Sequence, residues 1–119
     1  MNVLIIEDSL TTAMMLENFV SACGHEAICV PGAWLACSAA DEWSIDFVLL
    51  DIVLPGVDGY ELAGRLRRRG LRMPIVAVTS LDDNPEMRRH YGIDGYLSKP
   101  VSMTQLRDLL EAQAVAMNA

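Results

Sequence analysis

Three short runs of apolar residues recur along the chain, and they constrain its fold more than any other feature. They occupy residues 3–6, 47–50 and 75–78, and a polar residue follows each of them at once. Such runs are too short for buried helices and too continuous for strands with one solvated face. The sequence therefore predicts at least three strands that are buried on both faces of a parallel sheet.

Segments with helical patterns separate these strands. A pattern capped near Ser9 ends at Gly24, and Asp58 with Glu61 begins another that runs to Gly70. A polar second strand and a brief fifth strand complete the alternation. The predicted strands are residues 2–6, 25–30, 47–51, 74–79 and 95–98. The predicted helices lie within residues 9–24, 33–40, 58–70 and 84–92, and from residue 102 onward.

This regular alternation implies one sheet with helices on both faces and right-handed crossovers. The polar second strand and the short fifth strand suit the edges, while the three apolar strands suit the centre. The order 2-1-3-4-5 satisfies both conditions. We predict an α/β fold, a doubly wound (βα)5 arrangement around a five-stranded parallel sheet with flavodoxin-like topology, formed by residues 1–119 as a single domain.

The composition argues against several classes of protein. Sixteen acidic and nine basic residues give a net charge of −7, which argues against direct nucleic-acid binding and suits a bound cation. The three cysteines form no Cys-x-x-Cys pair, so we interpret them as reduced core residues rather than a disulfide framework or a zinc site. The first apolar run stops at Glu7 and follows no basic region, unlike a signal peptide or a membrane span. We expect a soluble, cytoplasmic protein with no membrane attachment.

Four predicted strands deliver polar side chains to one edge of the sheet. Glu7 and Asp8 follow the first strand, Asp51 ends the third, Thr79 ends the fourth and Lys99 follows the fifth. Ligands of open α/β sheets bind at this edge, where the first and third strands part. Three carboxylates there repel one another unless a cation neutralises them, which predicts a Mg²⁺ site. Lys99, the only lysine, stands where it can meet an anion.

These residues lie in motifs that resemble the receiver domain of two-component response regulators over the whole chain. The matching motifs are IEDS at residues 6–9, DIVLPGVDG at 51–59, TS at 79–80 and YLSKP at 96–100. The resemblance implies that Asp51 accepts a phosphoryl group from a histidine kinase or a histidine phosphotransfer protein. The function implied is that of a phosphorelay signalling domain, not of an ordinary enzyme.

The resemblance also implies roles for the surrounding residues. Mg²⁺, with Mn²⁺ as a substitute, is held by Glu7, Asp8, Asp51 and the backbone carbonyl of Val53. Lys99 and Thr79 contact phosphoryl oxygens, Thr79 and Tyr96 form a switch, and the bond before Pro100 is cis. An unknown downstream protein partner binds the face made by the fourth helix, the fifth strand and the fifth helix.

The implied activity is limited to the chain's own phosphotransfer and a slow autodephosphorylation. Val53 and Leu81 stand two residues beyond Asp51 and Thr79, at positions that in this family flank the approach of the hydrolytic water. Both are apolar and have no side-chain group to orient that water by a hydrogen bond. We therefore expect a comparatively long-lived phosphorylated form.

The same residues have other interpretations. A haloacid-dehalogenase-like phosphatase needs a second acid two residues after Asp51, where Val53 stands, and a flavin-binding module needs a phosphate loop where Glu7 and Asp8 stand. A receiver that only binds partners would have lost the acceptor, the acids or the lysine. Taken alone, Thr79 also suits an ordinary turn, and Tyr96 suits plain edge-strand packing. Because no linker or output domain follows the last helix, we expect a stand-alone receiver, with a piece of a longer regulator as the alternative.

Two further groups of residues have simple structural interpretations. The arginines between residues 65 and 72 are expected at a solvated helix C-terminus rather than in a polyanion-binding patch. Met14, Met15, Met87 and Met103 are expected to lie in the core or to fill gaps in it.

Overall fold

A computed structural model describes all 119 residues. Its strands are β1 (Asn2–Ile6), β2 (Glu26–Val30), β3 (Phe47–Asp51), β4 (Val53–Leu54), β5 (Val57–Asp58), β6 (Ile75–Thr79) and β7 (Gly95–Ser98). Its helices are α1 (Leu10–Ala22), α2 (Ala33–Glu42), α3 (Gly59–Arg68), α4 (Pro85–Tyr91) and α5 (Met103–Met117). None of these helices has both the length and the apolar character needed to cross a membrane.

Five of the strands form one parallel sheet in the order β2-β1-β3-β6-β7. This order confirms the predicted 2-1-3-4-5, because β6 and β7 are the fourth and fifth strands of the sheet. Every residue of β3 and β6 is buried, whereas the edge strand β2 buries only Val30. The continuous apolar runs lie at the centre because helices cover both faces of the sheet there.

Alternate residues of each strand divide the core between the two faces of the sheet. Leu4 and Ile6 pack on the face that carries α2 and α3, and Val3 and Ile5 pack on the face that carries α1 and α5. Helix α4 contributes no buried residue to either layer. It is held by fewer apolar contacts than its neighbours, as its polar sequence indicated.

The chain after Asp51 forms a short antiparallel ribbon that the sequence analysis did not predict. Val53 pairs with Asp58 and Leu54 with Val57, and Gly56 turns between them with φ of 72°, a region that favours glycine. The ribbon returns the chain to Asp58, whose side chain caps α3 by accepting from the amide of Tyr60 at 2.9 Å. The start of α3 is thereby fixed beside the end of β3.

Several surface assignments differ from the predictions. Met14 and Met103 are exposed, and so is Cys29, whose thiol donates to Glu17 Oε2 at 3.4 Å. Arg67 is only 22% exposed and donates to backbone carbonyls, so the prediction of a solvated side chain is wrong for this arginine. Helical periodicity assigns a residue to a face, but whether another segment covers that face depends on the tertiary structure.

Candidate functional site

The strand register brings the predicted site residues to one edge of the sheet. Ile6 pairs with Leu50. The next residues along the chain, Glu7 and Asp51, therefore lie side by side at the carboxyl ends of β1 and β3. Thr79 pairs with Ser98, which places Lys99 beside the end of β6. The peptide bond between Lys99 and Pro100 is cis. The side chains of Glu7 and Asp51 are buried, while Asp8 is exposed.

The three carboxylates form one acidic cluster. Oxygen atoms of Glu7, Asp8 and Asp51 lie within 4.8 Å of one another. Glu7 Oε2 is buried and has no hydrogen-bond partner, which is costly for a carboxylate oxygen unless a ligand satisfies it. An all-oxygen donor set with one unsatisfied buried oxygen fits a hard divalent cation such as Mg²⁺.

Lys99 joins two of these carboxylates. Its Nζ donates to Glu7 Oε1 at 2.6 Å and to Asp51 Oδ2 at 3.1 Å. Burial opposes the charge, but the hydrogen bonds to Glu7 and Asp51 outweigh it and raise the pKa of Lys99. The ammonium is therefore charged at neutral pH and lies beside the carboxylate of Asp51.

The second oxygen of Asp51 is held by the backbone. Asp51 Oδ1 accepts from the amide of Val53 at 3.0 Å, so the two oxygens have different partners. The ammonium on one side and the amide on the other fix the orientation of the carboxylate plane. For Val53 the observed contact is through its amide, and metal binding by its carbonyl stays a prediction.

The surroundings of Glu7 shift its pKa. Burial and the adjacent carboxylate of Asp51 raise the pKa of Glu7 from 4.5 to about 7, although Lys99 acts in the opposite direction. A carboxyl that is half protonated near neutral pH lessens the repulsion between Glu7 and Asp51. A cation bound at this cluster would displace that proton.

The raised pKa of Glu7 predicts how this residue changes the stability of the fold as the pH changes. Below about pH 4.5 Glu7 is protonated in the folded and the unfolded chain, and between 4.5 and about 7 only the folded chain keeps the proton. The stabilisation that this proton provides is fully present below about pH 4.5 and is lost as the pH rises through about 7. In metal-free buffer we expect Glu7→Gln to melt like the wild type at pH 4 and several degrees higher at pH 8.

Glu111→Gln is the control for this comparison, because Glu111 is exposed on α5 and its side chain makes no hydrogen bond or ion pair. Melting curves of both variants between pH 4 and 8 provide the measurement. An equal gain for Glu7→Gln at both ends of this range would show that Glu7 does not titrate as described.

Thr79 and Tyr96 both bind the same residue in the loop after β6. Thr79 is buried, and its Oγ1 accepts from the amide of Leu81 at 3.2 Å. The hydroxyl of the half-buried Tyr96 donates to the carbonyl of Leu81 at 2.6 Å. Thr79 and Tyr96, which the resemblance implies to be a switch, are thus linked through one exposed backbone segment.

Gly59, the first residue of α3, supports the site and was not identified from the sequence as a site residue. Its amide donates to the carbonyl of Ile52 at 2.9 Å, and a Cβ atom built on it would lie 2.5 Å from the carbonyl oxygen of Asp51. A helix start can approach the strand end this closely only at a glycine. The available signal was a glycine directly after the helix cap Asp58.

Comparisons with known proteins agree with this geometry. The family model described as "Response regulator receiver domain" matches residues 3–111. Sensory/regulatory protein RpfC of Xanthomonas campestris pv. campestris is 33% identical over 122 residues, which cover 98% of this chain and 17% of the relative. Sensor histidine kinase RcsC of Salmonella typhi is 30% identical over 116 residues, which cover 96% of this chain and 12% of the relative.

Solved structures share the fold. A two-component response regulator from Clostridium difficile superimposes with a TM-score of 0.91 at 24% identity, over 99% of this chain and 98% of that one. The present chain therefore spans nearly all of that structure, but less than a fifth of the length of the two curated relatives.

Proposed function

Since this chain belongs to the response regulator receiver domain family, we propose that Asp51 accepts a phosphoryl group in a Mg²⁺-dependent reaction and thereby switches a partner-binding surface. The observation that carries the proposal is the position of Asp51. It is a buried carboxylate bonded to the ammonium of Lys99, next to a buried carboxylate oxygen of Glu7 that has no partner. This arrangement provides a nucleophile, a fixed positive charge and a cation site within one pocket.

The chemistry follows from the two oxygens of Asp51. One oxygen forms the new bond to phosphorus while the bond from phosphorus to the donor's nitrogen breaks, and the electron pair of that bond stays on the donor. The Val53 amide holds Oδ1, and Lys99 is placed to neutralise charge on the phosphoryl oxygens. Bound Mg²⁺ would stabilise the same oxygens, and it would be held by Glu7, Asp8, Asp51 and the backbone carbonyl of Val53.

The product is an acyl phosphate whose phosphoryl group carries a charge of about −1.5 to −2, by analogy with other phosphorylated residues, so the side chain gains up to about one unit of negative charge over the carboxylate. Its oxygens attract the hydroxyl of Thr79. Before phosphorylation, Oγ1 of this residue accepts from the Leu81 amide. A turn of Thr79 towards the phosphoryl group removes that acceptor, and Tyr96 is bonded to the carbonyl of the same residue. The segment around Leu81 is therefore the first to respond to phosphorylation.

The partners follow from the same chemistry. The phosphoryl donor is a histidine kinase or a histidine phosphotransfer protein, and the name of one relative, a sensor histidine kinase, supports this class. The output partner is a protein rather than a nucleic acid, because the net charge of −7 disfavours direct contact with nucleic acid. We place the chain in the cytoplasm, as one phosphoacceptor domain.

Acetyl phosphate tests the proposal without a partner protein. Incubation with Mg²⁺ or Mn²⁺ should add one phosphoryl mass by intact-mass spectrometry, and hydroxylamine should remove it because it cleaves acyl phosphates. Chelation by EDTA should prevent the addition. An adduct that forms equally well in EDTA would contradict the metal dependence, and the absence of any adduct would contradict the acceptor role.

The exposed apolar residues beside the site predict slow dephosphorylation. Val53 and Leu81 are 59% and 50% exposed, and their amides bind the side chains of Asp51 and Thr79. Neither side chain can orient a water molecule by a hydrogen bond. We expect the double variant Val53→Asn, Leu81→Glu to lose its phosphoryl group up to about tenfold faster than the wild type. One hydrogen bond that orients the water lowers the barrier to hydrolysis by about that factor in rate.

The decay of the phosphorylated species, followed by mass spectrometry at constant Mg²⁺, measures this effect. Val115→Asn is the matched control, because Val115 is 70% exposed on the distant helix α5. Decay of the double variant at or below the wild-type rate would rule out a missing water contact as the cause of slow hydrolysis.

A further inference from the structure

Arg67 makes most of the side-chain hydrogen bonds that hold the end of α4 lying away from Asp51. Its Nε and Nη2 donate to the carbonyl of Gly92 at 2.9 and 2.8 Å, and Nη2 also donates to Asp94 Oδ2 at 2.8 Å. Its Nη1 donates to the carbonyls of Leu71 and Met73 at 3.0 and 2.7 Å. We call this set of contacts the Arg67 clamp. It ties the end of α3, the start of β6 and the turn after α4 into one unit.

The clamp is anchored to the sheet and shaped around a glycine. Asp94 Oδ2 also accepts from the amide of Ile75 at 2.9 Å, so the carboxylate bridges Arg67 and the first residue of β6. Gly92 has φ of 76°, and a Cβ atom built there would lie 2.9 Å from Cγ of Arg67. The arginine stem therefore packs directly on the glycine that ends α4.

Neighbouring residues reinforce this end of the helix. Tyr91 packs against α3 at Gly64, where an added Cβ would approach the tyrosine ring to 3.1 Å. Ile93 is buried at 4% exposure and its amide closes the helix by donating to the carbonyl of Arg88 at 2.8 Å. The carboxyl end of α4 is thus held by a guanidinium, an aromatic contact and a buried aliphatic side chain.

The opposite end of α4 has no comparable anchor. Residues 80–86 are all exposed. The ion pair between Arg88 and Asp83 and the cap from Asn84 to Met87 are both local to this segment. Its ties to the sheet are the bonds of Leu81 to Thr79 and Tyr96. The loosely held end of the helix is therefore the end that faces the phosphorylation site.

We propose that the Arg67 clamp is the fixed pivot of the switch, so that phosphorylation moves the amino-terminal end of α4 while its carboxyl end stays in place. The inference rests on the proposed function, because the displacement begins at Thr79. Arg67 acts as a positioning residue, since it touches neither Asp51 nor the phosphoryl group. Without the clamp, the same event at Thr79 shifts the whole helix, and the response is no longer confined to the residues nearest the site.

Hydrogen exchange of the full chain tests the pivot, with beryllofluoride and Mg²⁺ as the probe and ¹⁹F NMR as the check that the probe is bound. In the wild type we expect exchange to change by about tenfold in residues 81–87 and by less than about twofold in residues 88–94. In Arg67→Met, which keeps the packing on Gly92 and removes the guanidinium, both segments should change by similar factors. Arg65→Met is the control, because Arg65 is exposed on the same helix and makes no ion pair.

The ligand-free proteins give a separate test of the clamp. Arg67→Met should speed exchange about tenfold in residues 88–94 and leave residues 81–87 unchanged. Asp94→Asn keeps the oxygen that accepts from Ile75 and removes the negative charge beside Arg67. It should therefore show the same exchange pattern more weakly. This variant provides the test if Arg67→Met does not fold. A contrast between the two segments that survives in the clamp variants overturns the pivot. Absence of bound beryllofluoride in the wild type overturns the proposed function and the pivot that rests on it, whereas bound probe with uniform exchange overturns the pivot alone.

Discussion

Asp51→Asn is expected to give a folded protein that forms no hydroxylamine-labile adduct with acetyl phosphate and Mg²⁺. The amide has the shape of the carboxylate and keeps an oxygen that can accept from the Val53 amide, but it is not a nucleophile towards phosphorus. It also removes one of two adjacent buried carboxylates, so in metal-free buffer the variant should melt no lower than the wild type. Intact-mass spectrometry and melting curves provide the two measurements.

The matched control is Asp58→Asn, in the same connection between β3 and α3. Asparagine caps a helix about as well as aspartate, so this variant should keep both the fold and the phosphoryl adduct. A phosphoryl adduct that persists on Asp51→Asn would place the acceptor on another residue. Loss of the adduct in both variants would point to damage of the loop rather than to loss of the nucleophile.

The architecture of the site was predictable from the sequence because its residues stand where apolar runs stop. Glu7, Asp51 and Thr79 each follow a run that is buried on both faces, and parallel strands bring such positions to the same edge. The sheet order followed from the same contrast between continuous and interrupted apolar runs. Both inferences use only the local pattern and the rules for parallel sheets.

Which of the acidic residues is buried and which is exposed was not predictable in this way. Glu7 and Asp8 are adjacent in the sequence, yet Glu7 is buried and bonded to Lys99 while Asp8 is exposed. Successive side chains at a strand end point to opposite sides, and which side is covered depends on the tertiary structure. The repulsion among the three carboxylates was expected from the sequence, but the burial that contributes most to the raised pKa of Glu7 was not.

The burial of Arg67, which lies on a helix, could not be predicted from the sequence either. Cationic side chains suit a helix C-terminus, and Arg65 and Arg68 are exposed there as expected. Arg67 lies on the face that meets the turn after α4, and its acceptors include the carbonyl of Gly92, 25 residues away. A contact of that sequence separation is set by how α3 and α4 pack, not by the composition of either helix.

Gly59 is the second residue whose role depends on a distant approach, and its replacement by alanine is expected to damage both stability and phosphorylation. The added Cβ would lie 2.5 Å from the backbone of Asp51 and of Ile52, neither of which can move aside as a side chain can. Either α3 shifts away from β3 or the end of β3 is distorted. We expect a loss of about 1–3 kcal/mol in the free energy of unfolding and at least about a tenfold slower reaction with acetyl phosphate.

Gly64→Ala separates this steric effect from the general effect of alanine in a helix. Gly64 lies in α3 as well, but a Cβ atom there would meet the side chains of Tyr91 and Arg68 at 3.1 and 3.3 Å, and both can yield. Because alanine also favours the helix by roughly 1 kcal/mol, Gly64→Ala should be close to neutral in stability and should react at the wild-type rate. Chemical denaturation and the initial rate of adduct formation, measured for both variants, provide the comparison. If Gly59→Ala matched Gly64→Ala in both quantities, the close approach of α3 to Asp51 would have no part in holding the acceptor.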